Sequence, residues 1–136
     1  MELPDVERIG FGVIADKDEH APVFSHSDRF WIVDLKRRKE VIWSEYRDNP
    51  YVQTCKEKYP NPSAIGDHPC DEELEIYRKI GEMLKDCKYV SGQNFGNYAA
   101  DALEAAGTEA MMNFSHQPQE WVDSLIEARG YAGYRD

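Results

Sequence analysis

The chain has 136 residues, 41% of them hydrophobic and 12% aromatic, which suits one domain with a buried core and no need of disulfide staples. Its 26 acidic and 16 basic residues leave a formal charge of −10, a surface that repels a phosphate backbone, so nucleic-acid binding is not expected. No apolar run approaches the ~18 to 20 residues of a membrane span and MELPDVERIG lacks the order of a signal peptide, while Cys55, Cys70 and Cys87 make an odd number, so the reading is a cytoplasmic protein with reduced thiols.

In chain order, Arg8 to Ala15 (RIGFGVIA) sets Ile9, Phe11, Val13 and Ala15 on one face with small or apolar residues on the other, the pattern of a strand covered on both sides. Phe30 to Leu35 (FWIVDL) and Glu40 to Tyr46 (EVIWSEY) are rich in β-branched and aromatic residues. They form a hairpin around the basic run Lys36-Arg37-Arg38-Lys39, which reads as a solvated turn. From Arg47 to Asp71 the pattern dissolves into Asn49-Pro50, Pro60-Asn61-Pro62 and Gly66-Asp67, longer than the ~12 to 15 residues usual for an unstructured loop.

Asp71, as an N-cap, opens a helix with Glu72, Glu73 and Glu75 in its first turn, where acids complement the dipole. Ile76, Ile80, Met83, Leu84 and Cys87 continue it at helical spacing to near Asp86, with Cys87 on the core side. Lys88 to Gly92 is a short strand. Ala99, Ala102, Leu103 and Ala106 mark a second helix stopped by Gly107, Glu109 to Phe114 is the last strand, and Pro118 opens a third helix ended by Gly130. The tail YAGYRD carries no usable pattern.

The order β-β-β-α-β-α-β-α demands right-handed crossovers and a parallel half. With the first strand central, the expectation is an α/β, ribonuclease H-like, five-stranded mixed sheet of order 3-2-1-4-5 flanked by three helices, in a single domain over residues 1–136. Ligands of such sheets bind outside the carboxyl ends of the parallel strands. That edge is built from Asp16 onward, from Gly92 to Asn97 and from Ser115 to Pro118. Asn94, Gly96 and Asn97 stand at the start of the second helix, where free N–H groups and the dipole favour an anion, although capping alone also explains the asparagines. His26 and His116 flank strand ends near the same edge.

The combination of FSHSDRFWIVDL, the Arg47-Asp48-Asn49-Pro50 exit, the Gly66 to Glu73 run with its Gly-Asp-His, DCKYVSG and FGNYAADALEAAG resembles the dinitrogenase iron-molybdenum cofactor family over residues 8 to 128. The resemblance implies a non-catalytic binding or carrier role for an iron-molybdenum or iron-sulfur cluster in nitrogenase cofactor biosynthesis. Its partners would be that cofactor and cofactor-assembly proteins, with a homo-oligomer left open. Thiolate suits iron-sulfur species and imidazole suits iron, so Cys55, His68 and Cys70 form the metal-ligating set to test, against the alternative of unrelated loop residues. Their Cys-x12-His-x-Cys spacing is not a zinc signature. A cofactor-free interaction module displaying Trp31, Trp43 and the Tyr-rich tail is the second reading. A metal-dependent nuclease recruiting Asp16, Asp34 and Glu45 is the third.

Overall fold

The computed structural model describes residues 3–63, 65–113 and 117–135. Five strands, β1 (Val6–Val13), β2 (Arg29–Lys36), β3 (Glu40–Asp48), β4 (Tyr89–Gly92) and β5 (Glu109–Met112), form one sheet in the order β3-β2-β1-β4-β5. β2 and β3 pair antiparallel with their neighbours, whereas β4 and β5 run parallel to β1. The expected mixed sheet and its order are therefore present. The helices α1 (Val52–Lys58), α2 (Asp71–Met83), α3 (Asn97–Ala105) and α4 (Pro118–Glu127) number four among the described residues, one more than the sequence pattern indicates.

Two cores follow from the alternation in β1. Ile9, Phe11 and Val13 point to the face covered by α4, where Val33, Leu35 and Val122 complete a cluster. Gly10 and Gly12 occupy the opposite face, and their missing side chains admit the second cluster, built from Phe24, Phe30, Ile32, Ile76, Ile80, Leu84, Val90, Phe95 and Leu103. A Cβ on Gly12 would lie 2.4 Å from Ser27 Oγ and 2.9 Å from the Phe24 ring, so only glycine fits there.

The added helix lies inside the stretch read as irregular. A stripe of i, i+3 and i+4 apolar residues is missing from it, and Cys55 is its single buried side chain. It forms because Asn49, itself buried, ties its entrance: Asn49 Nδ2 donates to the Ser25 and Ser27 carbonyls at 3.2 and 2.9 Å, and Asn49 Oδ1 accepts from the Tyr51 N–H at 3.0 Å. The tail is also ordered as far as it is described. Tyr134 is buried and its hydroxyl donates to the Pro4 carbonyl at 2.9 Å.

At the foot of the sheet, the amino ends of β1 and β4 are fastened by charge. Glu7 is almost wholly buried and is met by Arg38 at 2.9 Å and Lys88 at 3.4 Å. Burial would raise its pKa, but the two cations outweigh that and hold it below the usual carboxylate range. Asp86 accepts from Arg47 Nη1 and Nη2 at 2.8 and 2.7 Å and from Arg8 at 2.8 Å. Arg47, and then Arg8, hold its carboxyl far below the ordinary range against the opposing effect of burial.

A depressed native pKa adds stability above the unfolded value of ~3.9, and that stability is lost as pH falls toward the native value. Asp86→Asn is thus expected to cost about 1 kcal/mol at pH 7, a figure reduced for solvent screening of this part-exposed pair. The difference from the parent chain should shrink steadily below about pH 4. Urea unfolding of both chains at pH 7 and pH 3 checks this. An equal gap at the two pH values would refute the ion-pair origin.

Candidate functional site

The carboxyl ends of β4 and β5 open on a groove of about 410 Å³. Asn94 to Asn97 form its mouth, Ala100 and Glu104 of α3 one wall, Ala110 and Met112 of β5 the other, and Pro62 overhangs it. The turn after β4 is shaped by two positive φ angles, +42° at Asn94 and +74° at Gly96. Between them Phe95 is buried against Phe24, with ring centroids 4.6 Å apart, which fixes the turn to the core. Gly96 is the N-cap of α3 and has no side chain to satisfy the first helical N–H groups. These donors stand at the positive end of the helix dipole.

Residues 59–63 and 65–70 are strapped across this mouth. Ser63 donates from its N–H and its hydroxyl to the buried Glu73 carboxylate at 3.1 and 2.8 Å, and Tyr77 Oη adds a third donor at 2.6 Å. The Ile65 N–H donates to Asn97 Oδ1 at 3.0 Å, and Tyr98 Oη donates to the Asp67 carbonyl at 3.2 Å. Pro62 lies so close to Gly96 that a Cβ there would be 2.8 Å from the proline Cβ. At the segment's start, His26 Nε2 lies 3.0 Å from the Tyr59 carbonyl; an oxygen of that kind can only accept, so Nε2 carries the proton.

Of the residues singled out from the sequence, Asn94, Gly96 and Asn97 line the groove. His26 is half-buried beneath the strap, and His68 is exposed on it. His116 falls outside the described residues. The Cys55, His68 and Cys70 set is not brought together: among the described residues no group of three or more His, Cys, Asp or Glu is placed to hold a metal ion. The reason is α1, which turns Cys55 fully into the core, where burial pushes its thiol up to about 11 despite the Ser25 hydroxyl.

Cys70 is instead exposed, at the N-cap of α2. Tyr59 Oη lies 3.1 Å from its sulfur, and this contact, followed by the N–H groups of Glu73 and Glu72, lowers its pKa. Cys87 is buried, as expected of a core residue.

Asp34 and Glu45 are each engaged by arginine, Asp34 by Arg8 at 2.7 Å and Glu45 by Arg47. Sequence reasoning missed two residues at this edge. His20 is buried with Nε2 3.0 Å from Ser91 Oγ, and its strand-like bridge to Val13 closes the loop that follows β1. Glu73 reads as one of several acids in a helix's first turn, and nothing in its spacing marks it as the buried anchor of the strap.

Among the described residues no helix is long and apolar enough to cross a membrane. The family model described as dinitrogenase iron-molybdenum cofactor matches residues 13–128. No curated protein matches the chain significantly.

Several solved structures share the fold. The crystal structure of PH0822 has 15% identity and a TM-score of 0.63, covering 89% of this chain and 91% of its own. The NMR structure of TM1290 from Thermotoga, described as a NifB candidate of the DUF35 family, has 20% identity and a TM-score of 0.56, covering 90% of each chain. The apo orange protein from Desulfovibrio gigas has 17% identity and a TM-score of 0.58, covering 90% of this chain and 89% of its own.

Proposed function

Because this chain belongs to the dinitrogenase iron-molybdenum cofactor family, we propose that it is a non-catalytic, cytoplasmic binding or carrier protein for an iron-molybdenum or iron-sulfur cluster. The cargo would be received in the groove between α3 and β5, on a sheet we read as ribonuclease H-like. The observation that carries the reading is the mouth of that groove. An uncapped helix N-terminus, two exposed asparagines and a strap of polar backbone meet there on a chain whose family name specifies a metal cluster.

The donor set suits a cluster that arrives with its own sulfides. Backbone N–H groups and the Asn94 and Asn97 amides would hold such an anion by hydrogen bonds and dipole. Cys70 and His68, exposed on the strap, are the side chains that could add a bond to metal. Cys55 would contribute packing.

Anaerobic titration of the apo chain with an iron-sulfur or iron-molybdenum cluster is expected to give a saturable change in visible absorbance. Ala100→Leu, which fills the groove from a helical position, should weaken binding about tenfold, equivalent to about 1.4 kcal/mol. Asn97→Ala should weaken it less. Cluster binding that ignores Ala100→Leu would move the site elsewhere, and no spectral change at all would end the carrier reading.

The cofactor-free interaction module has one observation in its favour. β3 is an edge strand on which Val41, Ile42, Trp43 and Tyr46 are exposed. Its bulge opposite Asp34 and Leu35, and the charges of Glu40, Glu45 and Arg47, are features that discourage strand-to-strand pairing.

A further inference from the structure

The basic hairpin turn lies at the foot of the sheet, at the opposite end of the strands from the groove, and the proposed function makes no use of it. Lys36, Arg37 and Lys39 join Arg129, from the turn after α4, around a recess of about 240 Å³ whose wall also holds Glu40. Four cations line it beside Glu40, with Asp5 3.7 Å from Arg37 as a second carboxylate nearby, on a chain with a net charge of −10. A concentration of positive charge against the sign of the whole molecule creates a local field for an anion.

The turn's backbone points the same way. The Lys39 N–H donates to the Lys36 carbonyl at 2.9 Å, and the two central residues, Arg37 and Arg38, have φ of +51° and +50°. Asparagine and glycine relax in such a hairpin turn; arginine does not. Backbone strain persists where the side chains it carries are used. Arg38 has its use in the buried Glu7 pair. Arg37 is braced separately, its Nη2 donating to the Arg135 carbonyl at 2.8 Å and its Nη1 lying 3.7 Å from Asp5. That bracing holds one guanidinium at the recess in advance of any ligand.

We propose that this recess binds a tetrahedral dianion of the phosphate class. Its volume is below the ~300 Å³ at which pockets for drug-sized ligands begin. It therefore accepts a phosphate group and leaves the remainder of a larger molecule outside. Guanidinium N–H groups and flanking lysine point charges are donors that such an oxyanion prefers.

The test is a titration of the isotope-labelled full chain by NMR with inorganic phosphate in one arm and glycerol 3-phosphate in the other. Saturable shifts confined to the amides of residues 36–40 and 128–130 are expected, and the tighter arm tells a free from an esterified phosphate. The double variant Lys36→Ala with Arg129→Gln should weaken binding at least about tenfold. Lys36→Glu alone, at an exposed strand end, should do the same without touching the fold. Shifts scattered over all surface lysines, no saturation below about 10 mM, or indifference to both variants would overturn the site. Preference for a single-stranded oligonucleotide over both small phosphates would overturn it too. None of these outcomes bears on the groove, so this inference and the carrier reading fail separately.

Discussion

Phe24→Ala is expected to cost about 3 to 5 kcal/mol, the largest single effect we anticipate in this chain. The ring is 1% exposed and packs on Phe30 at 5.5 Å and Phe95 at 4.6 Å between ring centroids. It also fills the space left by two glycines, since a Cβ on Gly12 or Gly92 would come within 3 Å of it. Those backbones sit in sheet hydrogen bonds and cannot slide inward to close a cavity. The consequence extends to the site. Phe95 loses its main partner, so the Asn94 to Asn97 turn should loosen and groove binding should weaken together with the unfolding midpoint. Chemical denaturation with amide exchange of residues 93–98 measures both. A loss below about 1 kcal/mol would mean that the surroundings collapse into the vacancy.

Glu73→Ala should cost about 2 kcal/mol, because it takes the acceptor from the part-buried Ser63 N–H and the buried Tyr77 hydroxyl. The visible result would be faster amide exchange over residues 59–70 with the sheet still protected. Glu73→Gln should behave differently. Its carbonyl can serve the two donors now on Oε2, while its NH2 group meets the Ser63 hydroxyl, which is able to accept. Retained strap protection in Glu73→Gln and lost protection in Glu73→Ala would assign the strap to this hydrogen-bond set. Equal loss in both would point to the charge instead.

Much of the sheet was legible because its strands obey strong local rules. The glycine and aromatic alternation of Arg8 to Ala15 marks a strand buried on two faces, and such a strand must be interior. The hairpin and two helix-spaced crossovers then leave few arrangements, and the order 3-2-1-4-5 is among them. The groove was legible in part, for Asn94, Gly96 and Asn97 follow from where a parallel strand meets a helix.

What could not be read depends on contacts distant in sequence. Helix α1 is held by Asn49 reaching the carbonyls of Ser25 and Ser27, more than 20 residues upstream. The exposed Cys70 and the buried Cys55 look alike in the sequence. Only the packing of α1 against Phe24 and Tyr77 separates a core thiol from one beside a tyrosine hydroxyl. Tyr134 is the same case, since its partners lie at the other end of the chain.

That last contact has a practical side. Pro4 and Tyr134 meet just ahead of β1, and its eight residues, at ~3.3 Å each, put roughly 25 Å between that junction and the mouth beneath the strap. A fluorophore, affinity handle or fused reporter attached at either end would leave the mouth unobstructed.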